Sequence, residues 1–236
     1  MKATDLSKIY HGRIARNYDE ERERTTLWHK TQTIIESLLE KIITKDTILL
    51  DVPIGTGRFI ATYERLGCTV LGVDISDEML EIAAKKISSN KITLKCGDVF
   101  NLNFTANVVL CVGFLYLLNF ADVCKTIANI VSVHPKHIIV TDTIRGLYKT
   151  PKTQSDSDVR KKENLIEDTI TLVKERGIFY VVKKTPNFII TKITKPTVHN
   201  HDRLIAEFGK YGYTVAYQTC VEKIGKTDYN VYHFTK

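Results

Sequence analysis

The chain has 236 residues, of which 43% are hydrophobic, and a formal net charge of +7. This length suits one α/β domain with an elaboration and supplies enough apolar residues for a full core. No apolar run approaches the ~18 residues of a membrane span, and the N-terminus lacks the apolar core of a signal peptide. Five scattered cysteines without a Cys-x-x-Cys pair argue against a zinc site and a disulfide framework. We therefore expect a cytoplasmic protein with no metal and no membrane partner.

The positive charge is concentrated in one part of the chain. Residues 143–200 contain twelve Lys and Arg against six Asp and Glu, whereas the remainder is close to neutral. Such a surplus is typical of a surface that meets an anionic partner, for example nucleic acid or a phosphorylated substrate. The alternative is a lysine-rich surface that is simply solvated.

Residues 48–57, Ile-Leu-Leu-Asp-Val-Pro-Ile-Gly-Thr-Gly, are the most informative stretch. They follow a predicted helix at about 27–43 and read as a buried strand that ends at Asp51, then a turn with Gly55 and Gly57. Two further apolar stretches end at Asp74 and Asp98. Ligands bind at the carboxyl ends of strands in open α/β sheets, so three acids there predict a nucleoside ligand. A nicotinamide fingerprint is disfavoured because its third glycine is missing.

The later elements continue to alternate between helix and strand. Helices are predicted at 58–66, 77–86, 120–132 and 202–211, and strands at 108–114 and 137–142. Residues 212–222 and 229–235 alternate around a glycine-containing turn, which predicts an antiparallel hairpin. Short strands are also predicted at 169–173, 178–182 and 188–193.

This order predicts an α/β fold. We expect a doubly wound, mostly parallel seven-stranded sheet with an antiparallel last strand, helices on both faces, and a small antiparallel β insertion after strand five. The chain divides into 1–45, an N-terminal arm and helix; 46–142, the Rossmann-like half with the three acids; 143–200, a basic insertion; and 201–236, the last helix and hairpin.

The stretch from Asp51 to Gly57 resembles the first motif of the class I S-adenosylmethionine-dependent methyltransferases, with Pro53 in place of that motif's first glycine. An inserted antiparallel last strand is also typical of that family. The resemblance implies S-adenosyl-L-methionine as cofactor, with Asp51 near its amino group, Asp74 on its ribose and Asp98 on its adenine. It also implies that the segment with Tyr18 folds over the cofactor, that 46–142 is the cofactor-binding half and that 143–200 is the substrate region. The expected contacts are Tyr18, Asp51, Pro53, Ile54, Gly55, Gly57, Asp74, Ile75, Asp98, Val99, Val112 and Gly113.

The resemblance also points to candidates on the acceptor side. His199 and His201 precede the last helix, near the acceptor in related enzymes, and histidine is the usual base at neutral pH. Asp142, at the end of strand five, is a comparable candidate. The end of strand four lacks both the Asn/Asp-Pro-Pro-Tyr of exocyclic-nitrogen methylation and the Pro-Cys nucleophile of cytosine methylation.

We therefore expect a methyltransferase acting on a small molecule or on a nucleotide or RNA. The alternatives are a cofactor-binding scaffold or partner subunit without catalysis, and an enzyme that cleaves S-adenosylmethionine. The acceptor and the oligomeric state stay open at this stage.

Overall fold

The computed structural model describes residues 10, 12–102, 104–145, 198–224 and 227–236. The strands are β1 (Ile48–Asp51), β2 (Thr69–Asp74), β3 (Ile92–Cys96), β4 (Val108–Cys111), β5 (His137–Arg145), β6 (Thr214–Ile224) and β7 (Thr227–Thr235). The helices are α1 (Arg13–Glu23), α2 (Thr26–Ile42), α3 (Ile60–Leu66), α4 (Asp77–Ala84), α5 (Phe120–Ser132) and α6 (His201–Gly209), with a 3₁₀ turn at Leu115–Leu117.

The seven described strands form one sheet in the order β3-β2-β1-β4-β5-β7-β6. The first five pair in parallel, and β7 pairs antiparallel with both of its neighbours. The last strand is thus inserted between β5 and β6, which confirms the predicted mixed sheet and its antiparallel last strand.

Helices cover both faces of the sheet, as predicted. Neighbouring residues of one strand enter different cores: Leu49 packs with α2, α3 and α4, whereas Leu50 packs with α5 and α6. Both leucines are fully buried. Because successive side chains of a strand point to opposite faces, this division places one apolar layer on each side.

The turn after β1 has two glycines with left-handed backbone conformations. Gly55 has φ 58° and Gly57 has φ 76°, values that favour glycine. A Cβ at Gly55 would meet nothing within 4 Å, whereas one at Gly57 would lie 2.2 Å from Ile60 Cδ1 and 3.1 Å from Ala83 Cβ. Gly57 therefore lets the turn pack on α3 and α4, and Gly55 leaves the backbone open.

Several element ends agree with the predictions from local sequence. Ser76 accepts the amide of Met79 at the start of α4, and Gly67, with φ 71°, ends α3. Strand β4 is shorter than predicted, because Gly113 has φ 73° and the chain then enters the 3₁₀ turn.

The strands predicted within 169–193 lie outside the described residues. Within the described part of the chain, no helix is both long and apolar enough to cross a membrane.

Candidate functional site

A cavity lies at the carboxyl ends of β1, β2, β3 and β4, beneath α1 and the first turns of α2. Eleven of the twelve residues predicted to contact the cofactor line it, namely Tyr18, Asp51, Pro53, Ile54, Gly55, Asp74, Ile75, Asp98, Val99, Val112 and Gly113. Gly57 does not line the cavity, since its place is taken up by packing against Ile60 and Ala83. Parallel strands end at a common edge, which is why residues far apart in sequence converge here.

Asp51 is a buried carboxyl group at the end of β1. Only 3% of the residue is exposed, and its Oδ2 accepts a hydrogen bond from the Tyr63 hydroxyl at 2.7 Å. Burial raises the pKa of Asp51 to about 7, an effect that the Tyr63 hydrogen bond opposes and the charge of Asp74 increases. A cationic ligand at this carboxylate would stabilise its charged form.

Asp74 connects the end of β2 to the glycine turn. Its Oδ2 accepts the amide of Gly55 at 2.8 Å and its Oδ1 accepts the amide of Ser76 at 2.9 Å. Burial raises the pKa of Asp74 above its ordinary value, although those amides oppose the rise. Asp98, after β3, accepts the amide of Phe100 at 3.0 Å and is only partly buried. Both carboxylates keep acceptor capacity for a ligand.

Thr141 of β5 holds together the part of the cavity wall that contains Gly113 and Tyr229. Its hydroxyl accepts the amide of Gly113 at 2.8 Å and also accepts from the Tyr229 hydroxyl at 2.8 Å. The Tyr229 ring meets the Tyr116 ring edge-on, with centroids 6.0 Å apart. The end of β4, the 3₁₀ turn and β7 are therefore joined into one wall.

The helix α1 is attached to the glycine turn. Thr56 donates its hydroxyl proton to Asp19, which also pairs with Lys86. The Ser76 hydroxyl donates to the carbonyl of Tyr10 at 2.6 Å. Tyr18, which lies in the same helix as Asp19, lines the cavity.

Other cavity residues were not predicted from the sequence: Tyr10, Arg22, Trp28, Arg58 and Tyr229. The Arg58 guanidinium lies 3.6 Å from the centroid of the Trp28 ring, and burial lowers the pKa of Arg58 to about 10. Arg22 and Trp28 lie in helices whose local sequence does not distinguish them as ligand-binding residues. Arg58 follows the glycine turn directly, and this position is the one local signal of a role in the site. Only the packing of α1 and α2 over the strand ends shows that they meet.

The three predicted catalytic residues do not line this cavity. His199 and Asp142 form a buried pair, with Nδ1 to Oδ2 2.7 Å, and His199 Nε2 lies 3.0 Å from the Leu118 carbonyl. Both ring nitrogens are thus occupied. His201 bonds instead to the Tyr232 hydroxyl at 2.9 Å. Their catalytic roles stay a prediction.

Within the described residues, no group of three or more His, Cys, Asp and Glu side chains is arranged to hold a metal ion.

Comparisons with known proteins identify a methyltransferase domain in this chain. Residues 49–136 match the family model described as a methyltransferase domain. The protein named "Putative methyltransferase YqeM" of Bacillus subtilis (strain 168) is 31% identical over 156 residues. That alignment covers 63% of this chain and 60% of YqeM, so the chain spans about three-fifths of the length of this relative.

Two solved structures share the fold at low sequence identity. Magnesium protoporphyrin IX methyltransferase from Synechocystis PCC 6803, with bound S-adenosylmethionine, has a TM-score of 0.68 at 12% identity, over 99% of this chain and 96% of its own. Mycolic acid cyclopropane synthase CmaA1, complexed with S-adenosylhomocysteine, has a TM-score of 0.63 at 13% identity, over 92% and 87%. The chain therefore matches a methyltransferase domain at 49–136 and shares its fold with solved structures that hold S-adenosylmethionine or S-adenosylhomocysteine.

Proposed function

We propose that the chain binds S-adenosyl-L-methionine in the cavity at the carboxyl ends of β1 to β4 and transfers its methyl group to a small-molecule acceptor. The observation that carries the proposal is the convergence of eleven predicted cofactor residues on this one cavity. These residues come from five separate parts of the sequence, so their meeting is a property of the fold.

The residues present suit the chemistry of this cofactor. Gly55 leaves open space where a side chain would otherwise stand, so the backbone can pass beneath a methionine group. Asp51 would hold the amino group, Asp74 the ribose hydroxyls and Asp98 the adenine amine, each by a charge-assisted hydrogen bond. The aromatic ring of Tyr18 would face a sulfonium cation, to which π faces are attracted. When bound, the cofactor supplies an electrophilic methyl group.

A small acceptor suits the cover over the cavity. Residues of α1 and α2, including Tyr18 and Trp28, line the cavity together with the strand ends. Rings on several sides favour a compact ligand over a polynucleotide, which needs an open groove. The chain's main task would be to position the acceptor against the methyl group, because methyl transfer is an in-line displacement. A nucleotide or RNA acceptor, suggested by the basic segment at 143–200, is the second candidate, and 146–197 lie outside the described residues.

Titration calorimetry with S-adenosylmethionine tests the cofactor site. We expect binding by the wild-type chain and an affinity about 10- to 100-fold weaker in Asp74→Ala, because a charge-assisted hydrogen bond contributes roughly 1.5–3 kcal/mol. Asp74→Asn, which keeps one acceptor oxygen, should lie between the two. Asp46→Ala removes an exposed carboxylate that does not line the cavity and serves as the matched control.

The chemistry is tested by following S-adenosylhomocysteine formation with a panel of small acceptors and with RNA. Product that depends on a small acceptor supports the proposal. Product without any acceptor would indicate cleavage of the cofactor, and binding without product would indicate a scaffold. Transfer only to RNA, weakened steeply by salt, would replace the small-molecule acceptor with the second candidate.

A further inference from the structure

We propose that the acceptor carries an oxyanion, a carboxylate or a phosphate, on a flat apolar skeleton, and that Arg22 binds that oxyanion. This rests on the proposed function, because it names the substrate class of the same cavity.

The charges that line the cavity lead to this inference. Among the described residues that line it, the acidic ones are Asp51, Asp74 and Asp98, and the basic ones are Arg22 and Arg58. The three carboxylates are assigned to the cofactor's amino group, ribose and adenine. The cofactor brings one carboxylate, which can pair directly with one arginine, whereas its ammonium and sulfonium groups are cationic. The other arginine then has no anionic group of the cofactor in direct contact.

Arg58 is already held in place. Its guanidinium donates to the Trp28 carbonyl and to Gln32 Oε1, the latter at 3.4 Å, and stacks on the Trp28 ring. It directly follows the glycine turn, the position expected for the methionine group. Arg58 therefore suits the cofactor's own carboxylate.

Arg22 makes fewer direct contacts with the protein than Arg58 does. Its guanidinium lies 5.3 Å from the centroid of the Tyr18 ring, and it has no hydrogen-bond acceptor or carboxylate partner within the described part of the chain. The residue is only partly exposed. A guanidinium presents five donors in a planar fork that matches carboxylate and phosphate oxygens. A partly buried arginine of this kind is available to an anionic ligand.

Four tyrosines line the same cavity as Arg22. They are Tyr10, Tyr18, Tyr116 and Tyr229, and the Tyr18 ring lies nearest to the guanidinium in a direct ring contact. The hydroxyls of Tyr10, Tyr18 and Tyr116 have no hydrogen-bond partner among the described residues, and no fully enclosed side-chain N or O atom there lacks one, so these hydroxyls reach open space. Three hydroxyl donors and a guanidinium suit an oxyanion, and the rings suit a flat skeleton.

The test compares a carboxylate with its neutral isostere on the protein saturated with S-adenosylhomocysteine. Binding of 2-naphthoate, 2-naphthyl phosphate and 2-naphthamide is measured by ligand-observed NMR titration. We expect the amide to bind at least about 10-fold more weakly than the better anion, since a hydrogen bond to a charged group contributes roughly 1.5–3 kcal/mol. The stronger of the two anions distinguishes a carboxylate acceptor from a phosphate acceptor.

Substitutions of two arginines in α1 show whether Arg22 is the group that binds the anion. Arg22→Gln should weaken the anion at least about 10-fold and leave S-adenosylhomocysteine affinity within about threefold, and Arg22→Lys should retain part of the anion affinity. Arg16→Gln, an exposed arginine of α1 outside the cavity, should change neither. If Arg22→Gln fails to fold, the isostere comparison on the wild type and on Arg22→Lys still decides.

Three results would overturn the inference: no binding of either anion, equal binding of the amide, or an equal loss of S-adenosylhomocysteine affinity in Arg22→Gln. The last would assign Arg22 to the cofactor's carboxylate. Failure of the wild type to bind S-adenosylhomocysteine at all would instead contradict the proposed function.

Discussion

Asp51 combines two properties that conflict in the absence of a ligand. It is buried, and burial raises its pKa to about 7, yet the proposed role requires its charged form. Its raised pKa means that the folded state holds the proton more tightly than the unfolded state does. The contribution of Asp51 to stability is therefore full below its unfolded pKa near 4 and is lost as the pH rises through 7.

For Asp51 we predict opposite pH dependences of stability and of cofactor binding. Wild type should lose about 2 kcal/mol more of its unfolding free energy than Asp51→Asn between pH 5 and pH 8, because asparagine does not ionise. The affinity for S-adenosylhomocysteine should rise about five- to tenfold from pH 6 to pH 7.5 in wild type. Denaturant unfolding and calorimetry at each pH measure both slopes. Identical slopes in the two proteins would contradict the assignment.

At the scale of one element, the turn after β1 assigns different tasks to its two glycines. Gly55 faces the cavity with open space around it, and Gly57 packs against buried Ile60 and Ala83. Both have left-handed φ angles, so an alanine at either position carries a similar backbone cost of about 1 kcal/mol. The two positions therefore form a matched pair in which only the surroundings differ.

We predict that Gly57→Ala mainly lowers stability and that Gly55→Ala mainly weakens cofactor binding. The Cβ at Gly57 must displace Ile60, which adds overpacking of roughly 1–3 kcal/mol to the backbone cost. The Cβ at Gly55 meets no protein atom within 4 Å but occupies the cavity. Thermal unfolding and calorimetry on both variants separate these effects. The same loss of affinity at equal stability in both would show that Gly57 also contacts the ligand.

At the scale of the whole molecule, the Asp142–His199 pair joins parts of the chain that are far apart in sequence. It connects β5, the carbonyl of Leu118 after the 3₁₀ turn, and the segment that enters α6. Since the carbonyl only accepts, Nε2 must donate to it, and the shared proton then lies between Nδ1 and the carboxylate. This arrangement joins His199 to the carbonyl that follows the 3₁₀ turn with Tyr116, and we predict that His199 positions this turn.

We predict that His199→Ala lowers the free energy of unfolding by about 3 kcal/mol, because it leaves Asp142 buried without its partner. Burial alone would lower the pKa of His199, but Asp142 and the Leu118 carbonyl raise it above its ordinary value. The contribution of the His199 shift is therefore full below the unfolded histidine pKa near 6.5 and is lost as the pH rises through the raised value. Burial also raises the pKa of Asp142, so its own shift contributes most at low pH and is lost as its carboxyl ionises. Denaturant unfolding of the two single variants and of His199→Ala/Asp142→Ala at pH 6 and pH 9 measures it, and strictly additive losses would rule out the pair.

Local sequence determined most of the secondary structure and many of the residues that line the cavity. The residues from Ile48 to Gly57 carry a strand, an acid and a glycine turn within ten positions, so short-range constraints alone specify them. Hydrophobic periodicity likewise specified α2 and α5, and the alternation around residues 224–228 specified the hairpin. The divisions at 1–45, 46–142, 143–200 and 201–236 stay a prediction.

Only the tertiary structure decided which side chains meet in the cavity and which do not. Arg22 reaches it because α1 folds over the strand ends, and nothing in the residues around Arg22 encodes that contact. His199 is drawn away from the cavity because Asp142 and the Leu118 carbonyl occupy its two nitrogens. Gly57 is excluded because α3 and α4 pack against it. A strand end or a turn is specified by neighbours in sequence, whereas a contact between distant segments is fixed only when the whole core packs.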